Sequence, residues 1–425
     1  MTPLERKRRL RVAALVDLPR SAQAGGHVKW WERLAAAAAR EAERDDWPLD
    51  LTVYFSGDGP DEILGPHVRL RSLRPVFSTT RLKFLPYVPD HTDLAPYHPA
   101  LARQLPQYDL IHTTDAFFAF ARTAERVARR RRIALTTSFH TDTPAYARLF
   151  TRQTIDQFAR WPWLKRKLIE DWRFPERQGA RMDRLLQRHL RACAHAFVTR
   201  AEDQSLAEGI LGPARVSLLR VGIDKAMFGP QRRDVAGVRR DYAISGGSVV
   251  ALFVGRVDVG KNVQTLLEAA GEAVAAGTPL HLIVAGVGPM MAALRERLGG
   301  HVSLSGFVEP DELARLYASV DFVAAPSEVE VGSMAAIEAI ASGCPALVAR
   351  SSGSARLLDH MPAIRAVESG AAAWTMALSD LARDAEGREQ MRAAALDYRA
   401  SRLASWSEVL NEDLLNGWQA ALAGG

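Results

Sequence analysis

The chain has 425 residues, too many for one ordinary hydrophobic core and enough for two domains. Its 48% hydrophobic and 24% charged residues are those of a globular protein, and no uninterrupted run of about 18 apolar residues occurs, which argues against a transmembrane helix. The net charge is +6, yet residues 151–192 alone carry eleven Lys or Arg against five Asp or Glu, so an anionic partner is expected there: membrane, nucleic acid or acidic substrate.

The opening "MTPLERKRRLRVAALVDLP" is basic, but its apolar part is short and lacks a small-residue cleavage site, so a strand over 11–18 is expected rather than a signal peptide. "HVKWWERLAAAAAREAERD" then reads as a helix, "LTVYFS" (51–56) as a strand and "HPALARQL" as a helix. "YDLIHTT" (108–114), "RIALTTSF" (132–139) and "AHAFVTR" (194–200) read as strands. The run "RVARRRR" (126–132) suits a solvated helix end. Near "RVGIDKAMFGPQRRD" (220–234) glycine and proline punctuate the chain. From Ser248 the pattern restarts with "SVVALFVG", "KNVQTLLEAAGEAVAAG", "LHLIVAG", "VSLSGF", "VDFVAAP" and "PALVA". Val263, Leu266, Leu267, Ala270 and Val274 fall on one helix face. Strands alternating with helices, twice over, predict an α/β protein of two doubly wound domains facing across a cleft. Cys193 and Cys344 offer neither a disulfide framework nor a metal-binding pair, which fits a reducing cytoplasm.

Chemistry concentrates in the second half. In "SEVEVGSMAAIEAIASG" the helix is expected to start with Ser333 as its cap, with Gly332 leaving its free N–H groups open to a phosphate. Glu338 leans back toward that helix start, and Glu330 precedes it in the loop. Carboxylates suit sugar and ribose hydroxyls, which are donors; spacing alone leaves open two unrelated glutamates. "LFVGRVDVGKN" sets Arg256 and Lys261 in the loop after a buried strand, where ligands of open α/β sheets sit. Two cations there suit a diphosphate.

These stretches, with "VAGVGP" and "LSGFVEPDELARLYASVDFVAAPSEVEVGSMAAIEAIASGCPALVA", resemble the nucleotide-binding domain of retaining GT-B glycosyltransferases of family 4, the glycosyl transferases group 1. The resemblance runs over roughly 200 residues with its motifs in order. It implies that Gly255, Arg256 and Lys261 hold the donor diphosphate, that Glu330 meets the transferred sugar and that Glu338 meets the ribose. The loops Gly286–Pro289 and Phe307–Val308, with Gly286, Gly288 and Val308, would flank the base, and Gly332, Ser333 and Met334 would form the helix entrance. In the first half, "QAGGHVKWWERLA" resembles the family's glycine loop, implying close backbone approach at Gly25 and Gly26. "TTSFHTDTPAYARLF" resembles the His-containing segment of lipid-acting and mannosyl-type members, implying His140 near the donor sugar, with Asp142 and Tyr146 beside it. "ASWSEVLNEDLLNGW" resembles the terminal helix that crosses back to the first domain. The implied division is 1–222 on the acceptor side, 223–400 for the nucleotide sugar and 401–425 for the returning helix. Gly332-Ser333 replaces the usual Phe-Gly, and Val221 replaces the usual Asn before "GID".

The implied activity is hexosyl transfer from a UDP- or GDP-linked sugar to a glycan or glycolipid hydroxyl with retained configuration. Attack on the same face, with the leaving phosphate taking the proton, would need neither a metal or other cofactor nor a separate base. The stretch around Trp161, Trp163, Lys165, Arg166 and Lys167 mixes aromatics with cations, as an interfacial segment on an anionic membrane would. The other reading is a solvated helical pair with the tryptophans packed inward. A cytoplasmic protein, peripheral on the membrane face, is expected. The competing functions are a GT-B nucleotide-sugar epimerase and a non-catalytic GT-B module binding membrane or nucleic acid. No single-strand or helix-turn-helix signature accompanies the latter, so no nucleic-acid partner is expected.

Overall fold

The computed structural model describes residues 8–21, 24, 26–79, 93–140, 142–159, 161–328, 333–352 and 361–424. The chain divides into two compact units, Met1–Arg220 with Trp406–Gly425, and Val221–Ser405. These limits stand beside the 222/223 and 400/401 boundaries expected from sequence.

The first unit is built on an eight-stranded sheet: β1 (Leu10–Val16), β2 (Leu49–Ser56), β3 (Glu62–Gly65), β4 (Val68–Leu73), β5 (Leu110–Thr113), β6 (Ala134–Ser138), β7 (His195–Val198) and β8 (Val216–Leu218). Their order is β3-β4-β2-β1-β5-β6-β7-β8, parallel except for β3 against β4. β1 reads as a continuous apolar run because both its faces are covered; Val12 through Val16 are fully buried. β6 starts two residues later than expected because Arg132, with φ of 54°, ends helix Ala119–Arg131 in the left-handed conformation. The terminal segment packs within this unit. Arg220 holds Asp413 through its backbone N–H at 2.9 Å and through its guanidinium, and the indole of Trp406 meets Trp30 edge-on at 5.3 Å.

The second unit has six parallel strands: β9 (Val249–Val254), β10 (Leu280–Ala285), β11 (Val302–Gly306), β12 (Phe322–Ala325), β13 (Ala346–Ala349) and β14 (Ile364–Val367). The order β11-β10-β9-β12-β13-β14 is that of a doubly wound sheet, with its reversal between β9 and β12. Alternation along β9 sends Val250 and Leu252 into the core on one face, and Val249, Ala251 and Phe253 into the core on the other. Val263, Leu266, Leu267 and Ala270 of helix Val263–Ala275 pack on the latter face. That helix begins later than the sequence pattern because residues 259–261 form a tight turn and Asn262 is left-handed.

Candidate functional site

In the second unit Gly255, Arg256 and Lys261 follow the carboxyl end of β9, and Ser333 and Met334 come after β12, the two strands between which the strand order reverses. Asp258 organises the loop after β9. Its carboxylate accepts the backbone N–H of Lys261 at 3.1 Å and pairs with the Arg256 guanidinium at 2.7 Å. The Lys261 stem lies across Gly255, its Cε 3.6 Å from where a Cβ would stand. Burial, reinforced by the neighbouring charge of Arg256, lowers the Lys261 pKa to about 8.

Two hydrogen bonds tie this loop to the one after β12. Asn262 Nδ2 donates to the Pro326 carbonyl at 3.1 Å, and Ser327 Oγ donates to the Gly260 carbonyl at 3.3 Å. Ser333 then caps helix Met334–Ala341, its hydroxyl accepting the N–H of Ala336 at 3.4 Å. Met334 is partly buried, and Glu338, one turn further, is 4% exposed. The loop after β10 closes on the same end of the sheet. A Cβ on Gly286 would stand 1.8 Å from the Gly255 carbonyl oxygen, and one on Gly288 would stand 2.3 Å from that of Val257, so neither position admits a side chain. Val308 packs partly buried against the core and Phe307 is exposed. Glu330, Gly332 and, in the first unit, Gly25 lie outside the described residues.

Two cations of different character and a capped helix start, on loops stitched together at one sheet end, form an arrangement suited to an anion with several oxygens. Sequence reading passed over Asp258, Asn262 and Ser327. Asp258, three residues before Lys261, carries a cap signature that would have shown it.

In the first unit His140 follows β6. Its Nε2 is 2.7 Å from Ser138 Oγ, and its ring stacks on His27 with centroids 4.6 Å apart. The Trp30 ring meets it edge-on, with centroids 4.9 Å apart. Burial, then the neighbouring His27 and His112, push the His140 pKa well below the ordinary histidine range, while burial brings His27 to about 4. Both rings are therefore neutral at pH 7. Gly26 opens helix Gly26–Glu41, which carries His27 and Trp30. Asp142 caps helix Thr143–Phe158 by accepting from Ala145 N–H at 3.0 Å, and it pairs with Arg200 at 3.0 Å. Tyr146 stacks on Phe150.

Helix Thr143–Phe158 runs beside helix Phe174–Ala192, with Arg148 bridging to Asp183 at 2.8 Å. Trp161 and Trp163, 61% and 63% exposed, stand in the connection between them, with Phe158, Trp172 and Phe174 also exposed. The inward-packed alternative is thus corrected: the pair exists, but these aromatics face out. Lys165 pairs with Asp156, Arg166 pairs with Glu170 at 3.1 Å, and the Lys167 ammonium lies 5.4 Å from the Trp172 ring centre. Among the described residues no helix is long and apolar enough to cross a membrane.

Residues 248–384 match the family model "Glycosyl transferases group 1". The match lies within the second unit and takes in the Arg256–Lys261 loop and the helix at Ser333. The chain is 30% identical over 223 residues to a D-inositol 3-phosphate glycosyltransferase of Segniliparus rotundus, covering 50% of this chain and 49% of the relative. It is 31% identical over 150 residues to a GDP-mannose-dependent α-(1-6)-phosphatidylinositol dimannoside mannosyltransferase of Mycobacterium tuberculosis, covering 35% and 39%. The chain thus spans about half or less of the length of these curated relatives. The Anabaena HepE structure, determined in complex with UDP, matches 96% of this chain and 100% of its own with a TM-score of 0.64 at 14% identity. This likeness shows the fold to be GT-B, and the two doubly wound sheets agree with it.

Proposed function

We propose that the chain is a retaining glycosyltransferase that moves a hexosyl group from a nucleoside-diphosphate sugar to an acceptor hydroxyl on a lipid or lipid-linked glycan. The observation that carries this reading is the tie between the Arg256–Lys261 loop and the Pro326–Ser327 loop that leads to the capped helix at Ser333. In the reaction the bond from the anomeric carbon to the β-phosphate oxygen breaks, and a bond to the acceptor oxygen forms on the same face. The acceptor proton passes to the leaving phosphate. Negative charge grows on that phosphate, and preorganised donors facing it stabilise the transition state more than the ground state. Arg256 offers a planar fork and Lys261 a point charge. Glu338 is assigned to ribose hydroxyls, Glu330 to the sugar, and neutral His140 to a hydrogen bond with substrate.

UDP in the HepE complex and GDP-mannose in the mycobacterial relative support a UDP- or GDP-linked donor. The exposed aromatics and cations between residues 158 and 174 support a lipid acceptor met at an anionic membrane surface. Lys261→Ala and Glu338→Ala each lower transfer of labelled sugar by at least about 100-fold while circular dichroism stays native. Full activity in either variant contradicts the assignment.

A further inference from the structure

We propose that Trp418 of the terminal helix fixes the protonation pattern of His140 through His112 and Ser138, so that His140 keeps Nδ1–H as its donor. The chain of contacts is continuous. Strand pairing sets His112 on β5 opposite Thr136 on β6, so the ring lies between Thr136 and Ser138, which share one face of β6. Trp418 Nε1 donates to His112 Nδ1 at 3.2 Å. An indole N–H can only donate, so His112 Nδ1 carries no proton; Thr136 Oγ1, at 2.9 Å, is then also a donor to it.

Burial, then the nearby His195, brings the His112 pKa to about 3, so this imidazole is neutral and its one proton sits on Nε2. That nitrogen donates to Ser138 Oγ at 2.9 Å, which leaves the Ser138 hydroxyl proton for His140 Nε2 at 2.7 Å. His140, neutral as well, keeps its proton on Nδ1. The reverse direction would set the indole N–H against an imidazole N–H. Close packing supports the geometry: a Cβ on Gly417 would stand 2.3 Å from the Phe197 ring, so glycine lets the terminal helix approach β7. Trp418, His112 and Ser138 are positioning residues, and Nδ1–H of His140 would donate to a substrate oxygen. That last step rests on the proposed function.

The test is long-range proton–nitrogen NMR of the full chain labelled with nitrogen-15 histidine, with signals assigned by His140→Gln and His112→Gln. Wild type is expected to show a protonated Nδ1 and a bare Nε2 at His140. Trp418→Phe and Ser138→Ala each drive His140 toward a mixture of tautomers, while Ser138→Thr, which keeps the hydroxyl, retains the wild-type pattern. In transfer assays the first two variants lower kcat by ~3- to 10-fold, the worth of one hydrogen bond, with KM for the nucleotide sugar nearly unchanged. An Nε2–H tautomer in wild type, or His140 signals indifferent to both Trp418→Phe and Ser138→Ala, overturns the relay. The spectra read the free chain, so a wild type that turns over no sugar overturns the function while the spectra still decide the relay.

Discussion

Lys261 is where charge, burial and ligand chemistry meet most sharply. A diphosphate needs the ammonium, yet burial beside Arg256 has brought its pKa from 10.5 to about 8. The cation is therefore present at pH 7 and is lost as pH rises through about 8, so nucleoside-diphosphate affinity falls by roughly 10-fold between pH 7 and 9. Titration calorimetry across that range checks it, and Lys261→Ala removes this part of the slope. Stability of the free protein moves the other way. Between about 8 and 10.5 the unfolded chain holds a proton that the folded one has released, so this group makes folding more favourable as pH rises. An affinity that stays level from pH 7 to 9 would mean that Lys261 does not hold the diphosphate. This residue was legible from sequence because its motif is local: Arg256 and Lys261 share one strand-end loop. His112 and Trp418 were not, since 306 residues separate them and only the packing of the terminal helix joins them.

Among the elements, the helical pair between Thr143 and Ala192 departs furthest from an ordinary doubly wound unit. Helix Phe174–Ala192 buries Gly179, His189 and Leu190 and leaves most of its charged residues to solvent. The connection before it turns three tryptophans outward, Trp161, Trp163 and Trp172, where burial in an interface would recover the hydrophobic stabilisation that exposure forgoes. Lys165 and Arg166 already pair with exposed carboxylates, pairs weak enough to exchange for lipid headgroups. Trp161→Ser combined with Trp163→Ser is expected to lower co-sedimentation with anionic vesicles by about 10-fold or more, with little effect on thermal stability. Sedimentation equal to wild type would remove the membrane from the account. Sequence reading found the aromatics and the charges here but could not tell inward from outward, because a tryptophan beside a lysine satisfies either environment.

At the scale of the whole chain, the parallel α/β architecture was readable because strands buried on both faces become near-continuous apolar runs, as β1 and β9 do. The β3–β4 hairpin, β8 and β14 escaped notice. Glu62, Arg69, Arg71 and Arg365 interrupt three of these strands, while β8 is three residues long and ends in an exposed Leu218, so none carries a clear period. The strand order, by contrast, follows from no local pattern, and it is the order that sets the ends of β9 and β12 side by side and so ties residues 256–262 to Pro326 and Ser327. The central claim is that this assembly binds a nucleoside diphosphate. It is tested most directly by thermal unfolding of wild type and Lys261→Ala with UDP, GDP, ADP and dTDP, each at about 100 times a plausible Kd. The account predicts that a UDP or GDP shift of a few degrees, from about 2.7 kcal/mol of linkage, appears in wild type and vanishes in the variant. No shift with any of the four, or a shift that Lys261→Ala leaves intact, would contradict it.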